Sequence, residues 1–533
     1  MYRGLKSYVS DLKKNGELTQ ISEFTDPVLD IARATVTQML KDEGSKALLF
    51  EETGTPYPVL TNMSGPGKRM LSALGADSIE SIGERIEALF QTLFEESTRF
   101  SGKIRRSKAA SELSSLLPKQ AKGHAPCQDS IQYKTQLSSL PLLKNCPQDA
   151  GRCITKPLIC TVGPLDGKRN LETGLLQFID DATTGIIFQT DAIVTSHLKE
   201  CTHRLPVAVC LGGDPIYSFL SAIPLPEGID KFAVAGLLRG APVELVDCMT
   251  QKVRVPADCD FVLEGYIQKS EPFTTQGPFE NIGGLPFAQS SCPKFHLTCI
   301  THRSDAVFPA EVPVFSTQGE HFETAAAERL FLKAVKLATI PQIADIVLPC
   351  GRDMAIVKID KHFEGQAFSV ANALWGTRML SLNKFLVIVD SDTDIRSFES
   401  VTQAIAANYL PSRDTLFGRG LVGASKGKRN PGIMGGKLCI DATSHTGGNS
   451  GVFHKETSGK EAVKRFDEVV KILFDEQEEA SPLAHRLQKL CANCDIPYGS
   501  PAGNPCASLS ENLCNSHDVI IEGECLILDA RTR

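Results

Sequence analysis

Two clusters in this 533-residue chain carry side chains that ordinarily bind metals, and both fall short of a site. Near the C-terminus, Cys491-Ala492-Asn493-Cys494 forms one C-x-x-C pair, followed singly by Cys506, Cys514, His517 and Cys525. A structural zinc site needs two close ligand pairs or a similar knuckle spacing. The expectation is therefore a reduced tail. Asp390-Ser391-Asp392-Thr393-Asp394 opens like a calcium loop, but Ile395 stands where the turn requires Gly and Val401 where the loop closes on Glu. These carboxylates read as loop residues and helix caps at the end of a strand. Many of the 17 cysteines lie in apolar runs such as Val209-Cys210-Leu211 and Leu297-Thr298-Cys299-Ile300, where a thiol packs as a small core residue. The odd count, with no secretory leader legible, argues against a disulfide framework.

Length and composition narrow the class. At 42% apolar and 22% charged residues, with a net charge of -7, the chain reads as a globular protein of enzyme size with two or three domains. The densest basic cluster, Lys103, Arg105, Arg106 and Lys108, is too small to suggest nucleic-acid binding and reads as a solvated face. No apolar run reaches membrane-spanning length, so neither a membrane nor a nucleic acid is expected as a partner, and a cytoplasmic location is expected.

The elements that must position any site follow from periodicity. Residues 1–115 read as a mixed helix and strand region, with a helical pattern through Val36-Leu40, a buried strand at Lys46-Phe50 and helix from Ile82 to about Ile104. Residues 107–139 are rich in Ser, Lys, Gln and Ala and predict a surface connection. From about 140 to 315, short β-branched runs such as Ile187-Thr190, Val207-Val209, Val243-Val246 and Phe261-Glu264 follow at close spacing, which predicts a barrel-like domain. Thr324 then starts a helix through Lys336 with Ala327, Leu330, Ala334, Val335 and Ala338 on one side. The uninterrupted Phe385-Val389 run predicts a strand buried on both faces of a parallel sheet.

A series of short motifs resembles, in order and spacing, the UbiD carboxylase/decarboxylase family, fungal ferulic/cinnamic acid decarboxylases in particular. The motifs are Gly151-Arg152-Cys153-Ile154-Thr155, Gly212-Gly213-Asp214-Pro215, Ala235-Gly236-Leu237-Leu238-Arg239-Gly240-Ala241-Pro242, Gln276-Gly277-Pro278-Phe279, Ile300-Thr301-His302-Arg303 and Asp441-Ala442-Thr443. The ordered set covers roughly residues 10–480. The resemblance implies an α/β (α+β) chain: an N-terminal α+β region (1–115), a split β-barrel of the prenylated-FMN-binding type (116–320), a C-terminal α/β oligomerisation domain (321–490) and a cysteine-containing tail (491–533). It also implies non-oxidative decarboxylation of an unsaturated or aromatic carboxylic acid, a homodimer, and prenylated FMN as an electron sink. In the family a divalent metal held by Asn, His and Glu anchors the flavin phosphate, and an Arg with two Glu residues moves the proton.

Carried onto this sequence, the family pattern breaks where its chemistry sits. Asn170 is kept, but Leu175 stands at the Arg position, Ile187 at the metal-binding His position and Lys231 at the metal-binding Glu position. Gln276 replaces the first catalytic Glu, and the second survives as Glu280 if the loop is one residue shorter, or is replaced by Asn281 if it is not. Catalytic positions are therefore expected at Glu280, Gln276 and Leu175. Cofactor contacts are expected from Asn170, Thr173, Gly174, Ile187, Ser221, Ile223, Lys231 and Lys428, with no metal ligand set, because Asn170 alone cannot hold a hard cation. Lys231 reads either as an ammonium that meets a phosphate in place of the metal or as a lysine of a decayed site. Glu280 beside apolar Leu175 and Ile187 is expected to have a raised pKa suited to a general acid. The function implied is a UbiD-like carboxy-lyase with altered acid/base residues. The alternatives are a repurposed flavin-independent lyase or cyclase, or a non-catalytic paralogue acting as a partner subunit.

Overall fold

A computed structural model of the chain describes residues 2–40, 45–65, 68–84, 110–188, 192–223, 225, 228–279, 290–313, 318–338, 340, 342–422, 433–445, 519–522 and 525–528. Contacts divide it into two compact units, residues 1–444 and 445–533. In the second unit the described strands are β23 (Val519–Glu522) and β24 (Cys525–Leu528), an antiparallel pair.

The N-terminal region is a small sheet flanked by helices. Strands β1 (Leu18–Ile21), β2 (Ala47–Phe50) and β3 (Val59–Thr61) are joined at the edge by β16 (Phe308–Ala310), a strand that returns after the barrel. All four residues of β2 are buried, as its apolar run predicts. The helix Leu5–Lys14 places Leu5, Tyr8 and Leu12 in the core at i, i+3 and i+7. The pattern through Val36 and Met39 belongs to the helix Asp30–Met39. Of the helix expected over 82–104, only the start lies within the described residues.

The stretch expected as a surface connection is more ordered than its composition suggests. Within it β4 (Lys119–Gln120) and β5 (Ser130–Gln132) form, and Cys127 and Leu137 are fully buried. Two well-placed apolar residues suffice to anchor a polar segment, and a windowed composition does not register them.

The barrel follows. Its strands are β6 (Cys153–Val162), β7 (Arg169–Asp180), β8 (Thr183–Phe188), β9 (Arg204–Leu211), β12 (Phe261–Gln268) and β15 (Lys294–His302), with β10 (Glu244–Asp247) and β11 (Arg254–Pro256) forming a side sheet with β4. The order β12-β9-β6-β7-β8-β15 closes through a β12–β15 pairing, so the six strands leave no free edge among themselves. Inward residues include Ile154, Ile159, Leu176, Ile186, Val207, Val209, Leu263 and Phe295, all buried in one cluster. The opposite face of the same strands, with Leu158, Cys160, Leu171, Ala208 and Cys210, packs with the helices Ile216–Ala222 and Lys231–Arg239 in a second core. Cys210 and Cys299 are buried free thiols, as their apolar context predicts. β13 (Thr274–Gln276) and β14 (Ser290–Cys292) make a short hairpin beside the barrel.

The Gly-Gly-Asp-Pro turn joins these layers. Gly212 and Gly213 have φ of 78° and 84°, a left-handed conformation that glycine adopts without strain. A Cβ on Gly212 would sit 2.3 Å from the Asp260 carboxylate, so the turn also needs glycine for space. Asp260 accepts N–H bonds from Leu5, Gly213 and Val307, tying the N-terminal helix, the turn and the strand after the barrel together. Asp214 accepts from the Tyr2 and Ile216 backbone N–H groups and pairs with buried Arg239.

After the barrel the helix Gln318–Ala338 begins six residues before the expected Thr324. A five-stranded sheet then runs β17 (Ile343–Val347), β19 (Met354–Ile359), β20 (Phe385–Asp390), β22 (Ile433–Asp441) and β21 (Thr415–Val422), with β18 (Pro349–Arg352) alongside. β20 is central and parallel to both neighbours, as its apolar run predicts. Asp390 accepts from Ser444 N and Asp394 from Arg396 N, the loop role expected of that acidic cluster.

Candidate functional site

Strand register brings three of the expected site residues to one face. On β7, Leu175 lies opposite Ile187 of β8 and opposite Thr155 of β6. Side chains alternate along a strand, so Thr173, Leu175 and Gln177 share a face, and Ile187 and Gly185 share it across the pair. A Cβ on Gly185 would fall 2.5 Å from Gln276 Cγ, which places Gln276 over Gly185 on that face. Gln177 Oε1 accepts the Gly277 N–H at 2.9 Å and pins the chain just beyond Gln276. The Gln276 carboxamide makes one long side-chain hydrogen bond, to Thr274 Oγ1 at 3.4 Å. The Thr173 hydroxyl is buried and has no hydrogen-bond partner among the described residues. Gly174 is needed for close approach, since a Cβ there would sit 2.4 Å from the Ile187 carbonyl oxygen. Glu280 and Lys428 lie outside the described residues.

The result is an apolar wall, Leu175 and Ile187, beside a carboxamide. Gln276 can donate and accept hydrogen bonds but cannot carry a proton to or from a substrate. Such a wall excludes water from whatever it covers, which strengthens polar interactions made inside it.

Asn170 and Lys231 form a different group. Asn170 is five residues before Leu175, about 16 Å along the strand, and it shares the other face of β7 with Glu172. Ile187, the partner of Leu175, is therefore not brought to Asn170. The cleft at Asn170 is lined instead by Ile193, His197, Lys168, Arg169, Lys231 and Arg378, with Asp166 and Leu225. Lys231 is the first residue of the helix Lys231–Arg239, whose cap Asp230 accepts the Phe232 N–H. Its buried ammonium donates to the Ser221 carbonyl at 3.1 Å, so Ser221 and Lys231 do meet. Ile223, two residues after Ser221, is buried as the C-terminal cap residue of the helix Ile216–Ala222.

Glu172, which the sequence did not single out, organises this cleft. It accepts from Asn170 Nδ2 (3.1 Å), from the Ile193 and Val194 N–H groups (2.9 and 3.1 Å) that open the helix Ile193–Glu200, and from Arg378 Nη2 (2.8 Å). Four donors occupy the four acceptor positions of a carboxylate. Three of the cleft's cations have carboxylate partners: Lys168 with Asp166, Arg169 with Asp230, and Arg378 with Glu172. Lys231 has none within ion-pair distance among the described residues. Burial lowers its pKa to about 7, with Glu172 opposing the shift and Arg378 adding to it.

A divalent metal does not fit these donors. A hard cation needs several oxygen ligands. Here Asn170 Oδ1 is a single neutral ligand atom, since its Nδ2 goes to Thr161 Oγ1 and Glu172, Glu172 is fully engaged, and the neighbouring Lys231 brings an ammonium instead of an oxygen. An anion fits better, because it would complete the pairing of Lys231.

A further charged cluster also escaped the sequence reading. Lys156 sits in the bulge of β6 next to Thr155, with φ of 51°. Its ammonium bonds Glu311 at 3.3 Å and Glu323 at 3.0 Å. Burial alone would lower Lys156, and the two carboxylates more than reverse it, holding it above the ordinary lysine range. Lys156 directly follows Thr155, the β6 position facing Leu175, and no local sequence signal marks it.

Comparison with known proteins agrees with this architecture along the chain. Three family models of 3-octaprenyl-4-hydroxybenzoate carboxy-lyase match: the N-terminal domain over residues 9–89, the Rift-related domain over 119–315 and the C-terminal domain over 321–442. An uncharacterised protein of Aquifex aeolicus is 33% identical over 450 residues, covering 83% of this chain and 92% of the relative. One of Archaeoglobus fulgidus is 33% identical over 423 residues, covering 78% and 86%. Among solved structures, the closed form of Sedimentibacter hydroxybenzoicus vanillic acid decarboxylase superposes with a TM-score of 0.74 at 23% identity, over 89% of this chain and all of that one. An evolved dimeric form of the UbiD-class enzyme HmfF from Pelotomaculum thermopropionicum, in complex with prenylated FMN, gives 0.64 at 24% identity over 85% and 98%. At these identities the structures share the fold, while the family models cover most of the chain. With its N-terminal, barrel and C-terminal regions each matched in order, the chain belongs to the UbiD family of carboxy-lyases.

Proposed function

We propose that this protein is a non-oxidative carboxy-lyase of an aromatic or α,β-unsaturated carboxylic acid, working with an altered acid/base set and a flavin. The observation that carries this reading is the shared face of Leu175, Ile187 and Gln276, with the unpartnered Thr173 hydroxyl beside it. It is a half-buried apolar wall with polar groups at its edge, on the outer face of a closed barrel that structurally resembles enzymes solved with FMN and prenylated FMN. When bound, prenylated FMN would supply the electron sink for loss of CO₂.

The chain's own residues then divide the work. Leu175 and Ile187 exclude water from the acid, and loss of solvation destabilises a carboxylate relative to neutral CO₂. Gln276 orients the substrate by hydrogen bonding without exchanging a proton. Proton delivery is assigned to Glu280, four residues after Gln276, as a carboxyl group can act as a general acid. Thr173, Gly174, Ser221, Ile223 and Lys428 are assigned to the flavin, and the C-terminal sheet to a homodimer.

The test is direct. The full chain, co-expressed with a flavin prenyltransferase, is incubated with cinnamic, ferulic, vanillic and 3,4-dihydroxybenzoic acids, and the decarboxylated products are followed by chromatography. Product from at least one acid, abolished in Glu280→Gln, supports the reading. No product from any of them overturns it and favours a partner subunit or a different lyase.

A further inference from the structure

We infer that the Asn170–Lys231 cleft binds a phosphate monoester directly on the Lys231 ammonium, with no bridging divalent cation. This rests on the flavin reading above and says how that flavin is anchored.

The argument is one of charge and geometry. Lys168, Arg169 and Arg378 each have a carboxylate partner, whereas Lys231 has no carboxylate within ion-pair distance among the described residues. A lysine that served only packing would turn its head to solvent, because the long stem reaches. Lys231 instead buries its ammonium against the Ser221 carbonyl, a contact that supplies a dipole but no charge. A buried cation is tolerated when an opposite charge completes it, and no carboxylate does so here among the described residues.

The side chains around it select the anion. Lys168, Arg169 and Arg378 line the same cleft as Asn170 and Lys231. These three cations are balanced by their carboxylates, so the charge left for an anion is that of Lys231, and a phosphate monoester, anionic near neutral pH and rich in acceptor oxygens, suits an ammonium. Glu172 does not compete for this role, since Asn170, the Ile193 and Val194 N–H groups and Arg378 engage it. Its place at the start of the helix Ile193–Glu200 fixes Arg378 and Asn170 around the space that Lys231 borders.

The probes are FMN and riboflavin, which differ by the phosphate. Flavin fluorescence is titrated with the full-length protein in EDTA and again with added MnCl₂. The expected result is FMN binding at least tenfold tighter than riboflavin in EDTA, unchanged by Mn²⁺. Lys231→Met should bring FMN to the riboflavin level while leaving riboflavin binding and the circular dichroism spectrum unaltered, and Lys231→Arg should restore part of the preference. The inference is overturned if FMN binds no tighter than riboflavin, if its preference appears only with Mn²⁺, or if Lys231→Met retains it. A protein that releases CO₂ from its acid yet needs Mn²⁺ for FMN overturns this inference alone. Lys231-dependent FMN binding without turnover overturns the carboxy-lyase reading alone.

Discussion

The Asp214–Asp260 hub and the Asn170–Lys231 cleft are both buried polar clusters, and they are built to opposite ends. In the hub every carboxylate meets backbone N–H groups or an arginine, and the partners come from the N-terminal helix, the glycine turn and the segment after the barrel. Burial still raises Asp260 to about 6, but its three N–H donors oppose the shift. In the cleft the charges do not close, and Lys231 is held at about 7 by burial. A satisfied buried network fixes a fold, whereas an unsatisfied one is expensive to maintain. The contrast assigns a scaffold role to the first and is the basis for proposing a ligand in the second.

The largest effect that tests this contrast is in the hub. Arg239→Met leaves the fully buried Asp214 carboxylate without its cation, and stability should fall by about 3–5 kcal/mol, read as a lower urea midpoint. A loss near zero would remove the hub from its structural role.

The cleft should respond with the opposite sign. Lys231→Met removes a buried charge and should stabilise the protein by about 2–4 kcal/mol near pH 6, read as a higher melting temperature. The sign follows from its lowered folded pKa. Below about pH 7 the wild-type lysine is charged in both states, so the folded state bears the whole burial penalty. As pH rises toward the ordinary lysine value, the folded amine is neutral while the unfolded chain still binds the proton. Wild-type stability therefore climbs, and the advantage of Lys231→Met should be nearly gone by pH 10. Charges that face this lysine are Glu172, Arg378, Arg169, Lys168, Asp166 and Asp230, with His197 on the same wall, so the comparison is best made as a difference between the two proteins at each pH. A constant difference from pH 6 to 10 would refute the assignment.

Smaller effects distinguish backbone from side-chain obstruction on the face shared by Leu175, Ile187 and Gln276. Gly174→Ala places a methyl against the Ile187 carbonyl and should destabilise by about 1–3 kcal/mol. Gly185→Ala meets the movable Gln276 side chain and should cost less than about 1 kcal/mol, while lowering turnover by displacing the carboxamide. Equal stability losses in the two variants would mean that Gln276 is as rigid as the backbone.

Much of the scaffold was legible in the residues. The Phe385-Val389 run announced a central parallel strand, and the Gly-Gly-Asp-Pro turn carried its own reason in two left-handed glycines. The described part of the segment over 107–139 does lie largely at the surface, but it is more ordered than its composition suggests, because Cys127 and Leu137 anchor it through isolated contacts. The site was legible only in part. Ser221 and Lys231 do meet, and Leu175, Ile187 and Gln276 do share a face. Ile187 nevertheless belongs with Leu175 and is remote from Asn170, because strand register, not motif order, sets which side chains are neighbours.

By itself the sequence determined the side chains available: Leu175, Gln276 and Lys231 stand where the family resemblance implies an arginine, a proton-moving glutamate and a metal-binding glutamate. Only the tertiary structure decided which charges meet. Glu172 and Arg378 are 206 residues apart in the chain and meet at 2.8 Å. Lys156 finds Glu311 and Glu323 across comparable distances in sequence. Charge balance in a buried cleft is a property of all the elements packed around it, and no local pattern in the chain records the sum.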